Sequence, residues 1–469
     1  MSGTQSSLLI RNGRVVTPGA NGHILEDRGN LEILVQDGKI SRIAPASVFS
    51  GYHGDGDIPG NIPGNIIDAR GKLVMPGLIN AHTHFYSTFA RGLYKVNPSK
   101  NFNEVLKNLW WKLDKALTLE GVYYSALIAM IDCIKKGTTT VFDHHSSPGA
   151  IRGSLTRIAD AVGEAGLRAC LCYEVSDRDG PKAAGQSIDE NHDFIMECRR
   201  RAASGDGYLR GLFGLHASFT ISDATLLKAV DVAAKAGAAG FHVHAAEAAT
   251  DQEHSLKHFG VSIVERFRRA GVLGPQSMLA HCVHIDETQM NIIAETGTNV
   301  VHNPQSNMNN AVGVADVVGM AKKGICVGLG TDAMTANMFE EMRSAVWLQK
   351  LNRKNSSDGF IESLNALLVN NSKIAKKYWD LGVESDFDLG VLKEGAAADM
   401  ILVDYEPPTP FDSASLLGHI CFGVAESAID TTIVGGRVLM RDKKLEIGID
   451  EERIAARSRE LAKEVWKAF

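Results

Sequence analysis

From about residue 74 to about residue 384, short apolar runs alternate with longer stretches of helical periodicity, and the alternation repeats eight times. The runs are 73–81, 138–143, 168–173, 211–215, 240–245, 278–283, 299–302 and 325–330. A strand–helix–strand rhythm returns the chain to the same end of a sheet, so the strands are expected to be parallel. Eight units over roughly 310 residues fit a (β/α)8 TIM-type barrel, an α/β fold that spans about 200 to over 400 residues. The chain has 469 residues, which leaves room for a smaller unit beside that barrel.

The ends of the chain read differently. Residues 8–16 and 31–40 look like hairpins turning at Asn12-Gly13 and Asp37-Gly38. Asp399–Val403 and Asp430–Leu439 have the same strand character. The economical arrangement joins residues 1–73 and 385–448 in one composite β-sandwich, leaves 74–384 as the barrel, and makes 449–469 a C-terminal helix with Ile454, Leu461 and Val465 on one face. Residues 51–65 are rich in glycine, proline and aspartate and read as a solvated loop. They lack the Gly-x-x-x-x-Gly-Lys of a phosphate loop, and Asp55-x-Asp57 lacks the other ligands of a calcium loop. The first crossover, 85–136, is long; part of it, with Trp110 and Trp111, is expected over the barrel mouth as a lid or substrate wall.

Composition excludes several classes. A net charge of −6 offers no basic surface for nucleic acid or an anionic membrane. No apolar run reaches the ~18 residues of a membrane span. The N-terminal segment lacks the basic start of a signal peptide. Seven scattered cysteines without a Cys-x-x-Cys read as reduced thiols in a cytoplasmic protein.

Barrel enzymes place their chemistry at the C-terminal ends of the strands. Here those ends carry His82-Thr-His84, Asp143-His144-His145, His216, His242-Val-His244-Ala-Ala-Glu247, His281-Cys282-Val-His284, His302-Asn-Pro and Gly330-Thr-Asp332. Ten of the sixteen histidines fall in these few positions, which argues against chance placement. His82 and His84, two residues apart on a strand, point to one side and can reach one ion together. Neutral imidazoles with a carboxylate suit zinc or iron. Rival metal or nucleophile motifs are absent: there is no His-Glu-x-x-His, no Pro-Cys-x-x-Cys and no Gly-x-Ser-x-Gly.

The order His-x-His, His-x-x-Glu, His, His-Asn-Pro-x-Ser-Asn and Gly-Thr-Asp resembles the amidohydrolase superfamily, in its branch of aminohydrolases and chlorohydrolases. The resemblance implies one divalent metal ion per subunit, Zn2+ or alternatively Fe2+, on His82, His84, His244 and Asp332. It implies catalytic roles for Glu247, His281 and Asp332, and substrate contacts for His216, where dinuclear relatives carry a modified lysine. His302 is expected in the pocket with Ser306 and Asn307. His145, Arg91 and Trp110 are weighed as substrate contacts against packing or ion-pair roles, and His242 and His284 as packing or capping groups. The implied reaction is deamination of an amino-substituted nitrogen heterocycle such as a purine or pterin, with release of ammonia. Alternatives are hydrolysis of C–N or C–Cl bonds in triazine-like compounds, of an amide or urea, or a scaffold without catalysis. The expected partner is a small heterocyclic substrate, and self-association is compatible with this type of barrel.

Overall fold

The computed structural model describes residues 7–19, 24–49, 64–379 and 387–469. Most of the loop read at 51–65 lies outside the described residues. Eighteen strands are described. Five precede the barrel: β1 (Ser7–Pro18), β2 (Leu25–Gln36), β3 (Lys39–Ala44), β4 (Gly64–Asp68) and β5 (Leu73–Pro76). Nine build the barrel: β6 (Leu78–Thr83), β7 (Thr138–His145), β8 (Arg168–Tyr173), β9 (Leu209–Gly211), β10 (Phe213–Ala217), β11 (Phe241–Ala245), β12 (Met278–His281), β13 (Asn299–His302) and β14 (Val327–Leu329). Four follow: β15 (Met400–Asp404), β16 (Ala428–Val434), β17 (Arg437–Arg441) and β18 (Lys444–Leu445).

The barrel strands are parallel, in the order β6-β7-β8-β9 and β10-β11-β12-β13-β14. β9 and β10 are two halves of one barrel strand, broken at Leu212, so eight strands close the ring. The two arcs meet through parallel bridges Val175↔Leu215 and Thr83↔Asp332. Such strands are covered on both faces, which is why β8 reads Arg-Ala-Cys-Leu-Cys-Tyr without polar alternation and is buried throughout. The helices between them are delimited locally. Thr118, Ser222, Ser262 and Asp286 each accept a backbone N–H as N-caps of the helices that follow.

Strands from both chain ends share a nine-stranded sheet, in the order β18-β17-β16-β15-β5-β1-β2-β3, with β4 beside β1. The apolar run 73–81 is therefore two strands. Its first half pairs with β1 and β15, and its second half opens the barrel. Gly77 is the joint. A Cβ there would stand 2.2 Å from Thr139 Oγ1 on β7, so the chain crosses from one sheet to the other where only glycine fits. Asp37-Gly38 makes the expected hairpin between β2 and β3. Asn12-Gly13 does not turn the chain. β1 runs straight through it as a bulge, with Asn12 at φ 56° and a register shift against β2.

The sheet is tied to the barrel by a buried ion pair. Arg168 of β8 donates to both carboxylate oxygens of Asp399, at 2.7 and 3.1 Å, and the Gly435 N–H donates to the same carboxylate at 2.7 Å. The C-terminal helix Glu451–Val465 packs on the helix Leu119–Lys135, burying Ile454 and Val465. Among the described residues, no single helix is long and apolar enough to cross a membrane.

Candidate metal centre and active site

His82 and His84 leave the end of β6 on one side. The His82 carbonyl accepts the Thr331 and Asp332 N–H groups, and the His84 N–H donates to the Asp332 carbonyl. This stitching carries the Asp332 side chain beside both imidazoles. Asp332 Oδ1 lies 3.0 Å from His84 Nε2 and 3.6 Å from His82 Nε2. From β11, His244 brings its Nε2 to 3.2 Å from His84 Nε2. One ligand atom from each of the four residues lies within 4.8 Å of every other.

The proton positions show that a cation fits. His84 Nδ1 donates to the His144 carbonyl, and His244 Nδ1 donates to the His216 carbonyl at 2.9 Å. A carbonyl only accepts, so in the neutral rings both Nε2 atoms carry lone pairs that face each other. His82 Nε2 is also buried without a hydrogen-bond partner, while its Nδ1 meets His242 Nε2 at 2.9 Å. Orienting the far nitrogen of each ligand imidazole is what metal sites require. Three imidazole nitrogens and one carboxylate are a donor set for a divalent ion of the zinc or iron type.

Glu247 and His281 stand next to this cluster. Glu247 Oε2 is 3.4 Å from His281 Nε2, and Oε1 accepts from Asn310 Nδ2 at 3.2 Å. Burial, and then the charge of Asp332, push the Glu247 carboxyl well above the usual carboxylate range. His281 Nδ1 donates to Asn307 Oδ1 at 2.9 Å, which leaves Nε2 toward Glu247. Ser306 donates to the other Asp332 oxygen and accepts from Asn310. Strain is concentrated here. Ala246, His281, Cys282 and Asp332 all have φ between 50° and 75°, a region that side-chain-bearing residues rarely adopt and that persists where the surroundings enforce it.

A cavity opens over the cluster. Its walls include His84, His244, Glu247 and Asp332, and on the other side Trp110, Trp111, Phe102 and Phe219. The crossover segment 102–116 thus supplies the aromatic wall expected of it.

Of the expected substrate contacts, His216 and Trp110 line the cavity. Three others do not. Arg91 has a side chain 63% exposed and pairs with Asp132 on the helix behind the crossover, at 2.9 Å. His302 is fully buried and stands off the cavity wall. His145 is buried, bonds Ser147 Oγ at 2.9 Å, is driven down to about 3 by burial, and does not line the cavity. His284 Nε2 donates to the Val312 carbonyl, and Cys282 is fully buried with its thiol pushed up by desolvation.

The structure adds residues that sequence reasoning missed. Glu174 follows β8 directly, is buried, and lines the cavity. Searching the strand ends for histidines passes over this strand, which holds none; the acid at its end was the available signal. Arg178 and Asp114, paired at 2.6 Å, form another part of the wall. Burial lifts the Asp114 carboxyl to about 6 against the opposing charge of Arg178.

A barrel that converges imidazoles and an aspartate at its strand ends, beneath a cavity lined by a buried glutamate, defines a metal-dependent hydrolase. The comparisons name the family. The Amidohydrolase family model matches residues 73–439, and the chain belongs to that family. It is 32% identical over 462 residues to a 5-methylthioadenosine/S-adenosylhomocysteine deaminase of Pelotomaculum thermopropionicum, covering 97% of this chain and 98% of that protein. It is 31% identical to a 5'-deoxyadenosine deaminase of Methanosarcina mazei, covering 98% of each. Among solved structures, an adenosine deaminase from Xanthomonas campestris with bound zinc superposes with a TM-score of 0.82 at 20% identity over 98% of both chains. An atrazine chlorohydrolase from Arthrobacter aurescens superposes at 0.78 and 20% identity, covering 97% of this chain and 100% of that one, a likeness of fold alone. The chain is a hydrolase acting on carbon–nitrogen bonds.

Proposed function

We propose that the protein is a metal-dependent aminohydrolase that removes an amino group, as ammonia, from a nitrogen heterocycle of the aminopurine or pterin kind. The observation that carries this reading is the pairing of a convergent His82, His84, His244 and Asp332 donor set with a buried Glu247 on one cavity. The deaminase names of relatives about a third identical over nearly the whole chain support it. The bound ion would be one Zn2+ per chain, with Fe2+ as the alternative. Such an ion lowers the pKa of a water from 15.7 to about 7 and so supplies hydroxide at neutral pH.

The residues divide the remaining work. Asp332 accepts the proton of the attacking water. Glu247 donates its proton to the ring nitrogen beside the attacked carbon, which draws electron density out of that C=N bond. His281, fixed by Asn307, presents Nε2 as an acceptor that orients the attacking water. Asp332 then passes the water's proton to the amino group, which leaves as ammonia, while the hydroxyl proton of the adduct passes to Glu247 and restores its carboxyl. His216 and Trp110 hold the ring. The nine-stranded sheet would be the small β-sandwich of residues 1–73 and 385–448, the barrel would occupy 74–384, and the protein would work in the cytoplasm on a small-molecule substrate.

The leaving group tests the reading. Metal-loaded protein is expected to release ammonia from at least one amino-substituted purine, pterin, pyrimidine or triazine. Chloride from chloro-triazines, or an amine from N-alkyl triazines, with no ammonia from any ring, would replace the deaminase reading with the triazine one.

A further inference from the structure

On the cavity side away from Glu247, two polar atoms lack partners. Glu174 Oε1 meets His144 Nδ1 at 3.1 Å. His144 Nε2 donates to the His242 carbonyl at 3.0 Å, so one further proton must lie between His144 Nδ1 and Glu174 Oε1. Whichever atom holds that proton, Glu174 Oε2 is left as an acceptor. Among the described residues it makes no hydrogen bond, and His216 Nε2 stands 3.7 Å away.

His216 is fixed by a similar chain. Thr220 Oγ1 donates to the Ala217 carbonyl at 3.0 Å, so it must accept the His216 Nδ1 proton at 2.8 Å. With that proton placed, the neutral ring presents Nε2 as a second acceptor. Glu174 and His216 are 5% and 7% exposed, and both line the cavity. Two acceptors therefore face one space too wide for a bond between them.

We propose that Glu174 Oε2 and His216 Nε2 form a two-acceptor edge that selects rings carrying an amino group beside a ring N–H. This deepens the deaminase reading and rests on it for the placement of the ring. With Glu247 on the ring nitrogen at one flank of the attacked carbon, the opposite flank falls toward Glu174 and His216. An amino-lactam edge, NH2–C–N–H, offers two donors there. In adenine and cytosine the single ring nitrogen beside the amino-bearing carbon is the one on Glu247, and the opposite flank is a carbon, which offers no donor to the second acceptor. A site built to bond an N–H rejects the ring that lacks it, because its own buried polar atoms are then left unpaired.

The test uses four rings: guanine and isocytosine, which carry the amino-lactam edge, and adenine and cytosine, whose flank opposite Glu247 is a carbon without an N–H. Binding is measured by calorimetry to metal-loaded Glu247→Gln protein, so that turnover does not intervene, and ammonia release is measured with the unaltered enzyme. Guanine and isocytosine are expected to bind tighter than adenine and cytosine by about tenfold to a hundredfold, the range of a bidentate base contact. Introducing Glu174→Ala into the same protein, with metal content checked, is expected to collapse that ratio toward one. Equal or tighter binding of adenine and cytosine, no binding of any of the four, or a ratio untouched by Glu174→Ala overturns the edge. If Glu174→Ala fails to hold metal, the ratio without that change decides. Preferential binding of guanine and isocytosine with no ammonia released leaves the edge standing and removes the deaminase reading instead.

Discussion

Glu247→Gln is expected to keep one equivalent of metal and to lose about 10²–10⁴ in kcat, the usual worth of a positioned general acid or base. The amide matches the carboxyl in shape and keeps an oxygen for Asn310 Nδ2, which bonds Glu247 Oε1 at 3.2 Å. What it cannot supply is the proton. The convergent set of three imidazoles and Asp332 does not include Glu247, so metal content should be unchanged. Steady-state kinetics beside elemental analysis separates the two effects. Activity close to that of the unaltered enzyme would remove Glu247 from proton transfer, and loss of metal would make it a ligand. The sign with pH follows from the same assignment. Glu247 works in its protonated form and its carboxyl is held above the usual range, so kcat/KM should fall as pH rises through that raised value.

The second large effect concerns stability. Asp399→Ala is expected to destabilise the protein by about 3–5 kcal/mol, because it strands a buried guanidinium. Arg168 and Asp399 side chains are 4% and 2% exposed, so solvent cannot take over the lost partner. Arg168 also donates to the Gly207 carbonyl, and that bond cannot neutralise its charge. Urea unfolding of the two proteins reads the difference. The double change Arg168→Met with Asp399→Leu should recover much of the loss, since replacing both partners by apolar groups removes the uncompensated charge. A loss under about 1 kcal/mol for Asp399→Ala would put this pair with ordinary surface pairs and deny it the role of fastening the sheet to the barrel.

Much of the barrel was legible because its strands are short, apolar and separated by helices with local capping signals. The start of β7, the whole of β8 and β13, and the core of β11 fall where the runs place them. The failures have physical causes. The run 73–81 hid a change of sheet, because both halves are buried and apolar and Gly77 alone marks the joint. Asn12-Gly13 and Asp37-Gly38 look alike locally, yet the first is a bulge and the second a turn. The difference lies in the partner strands, since β1 continues past Asn12-Gly13 to pair with both β2 and β5.

The site was legible where chemistry constrains spacing. His82 with His84, and His244 with Glu247, sit on strand ends whose direction the barrel dictates, and they meet in space. Arg91 and His302 show the limit. Sequence order puts both next to site elements, but a long crossover turns Arg91 outward onto Asp132, and His302 is fully buried off the cavity wall. Glu174 shows the converse. A lone acid at a strand end carries no motif, and its meaning appears once His144 and His216 stand beside it.

The most direct measurement removes the metal with a chelator and restores it stepwise, following ammonia release from a ring that the enzyme turns over. The account predicts that activity disappears with the ion and returns in proportion to added Zn2+, reaching its plateau at one ion per chain. Ammonia release by metal-free protein, or a plateau at two ions per chain, would contradict it.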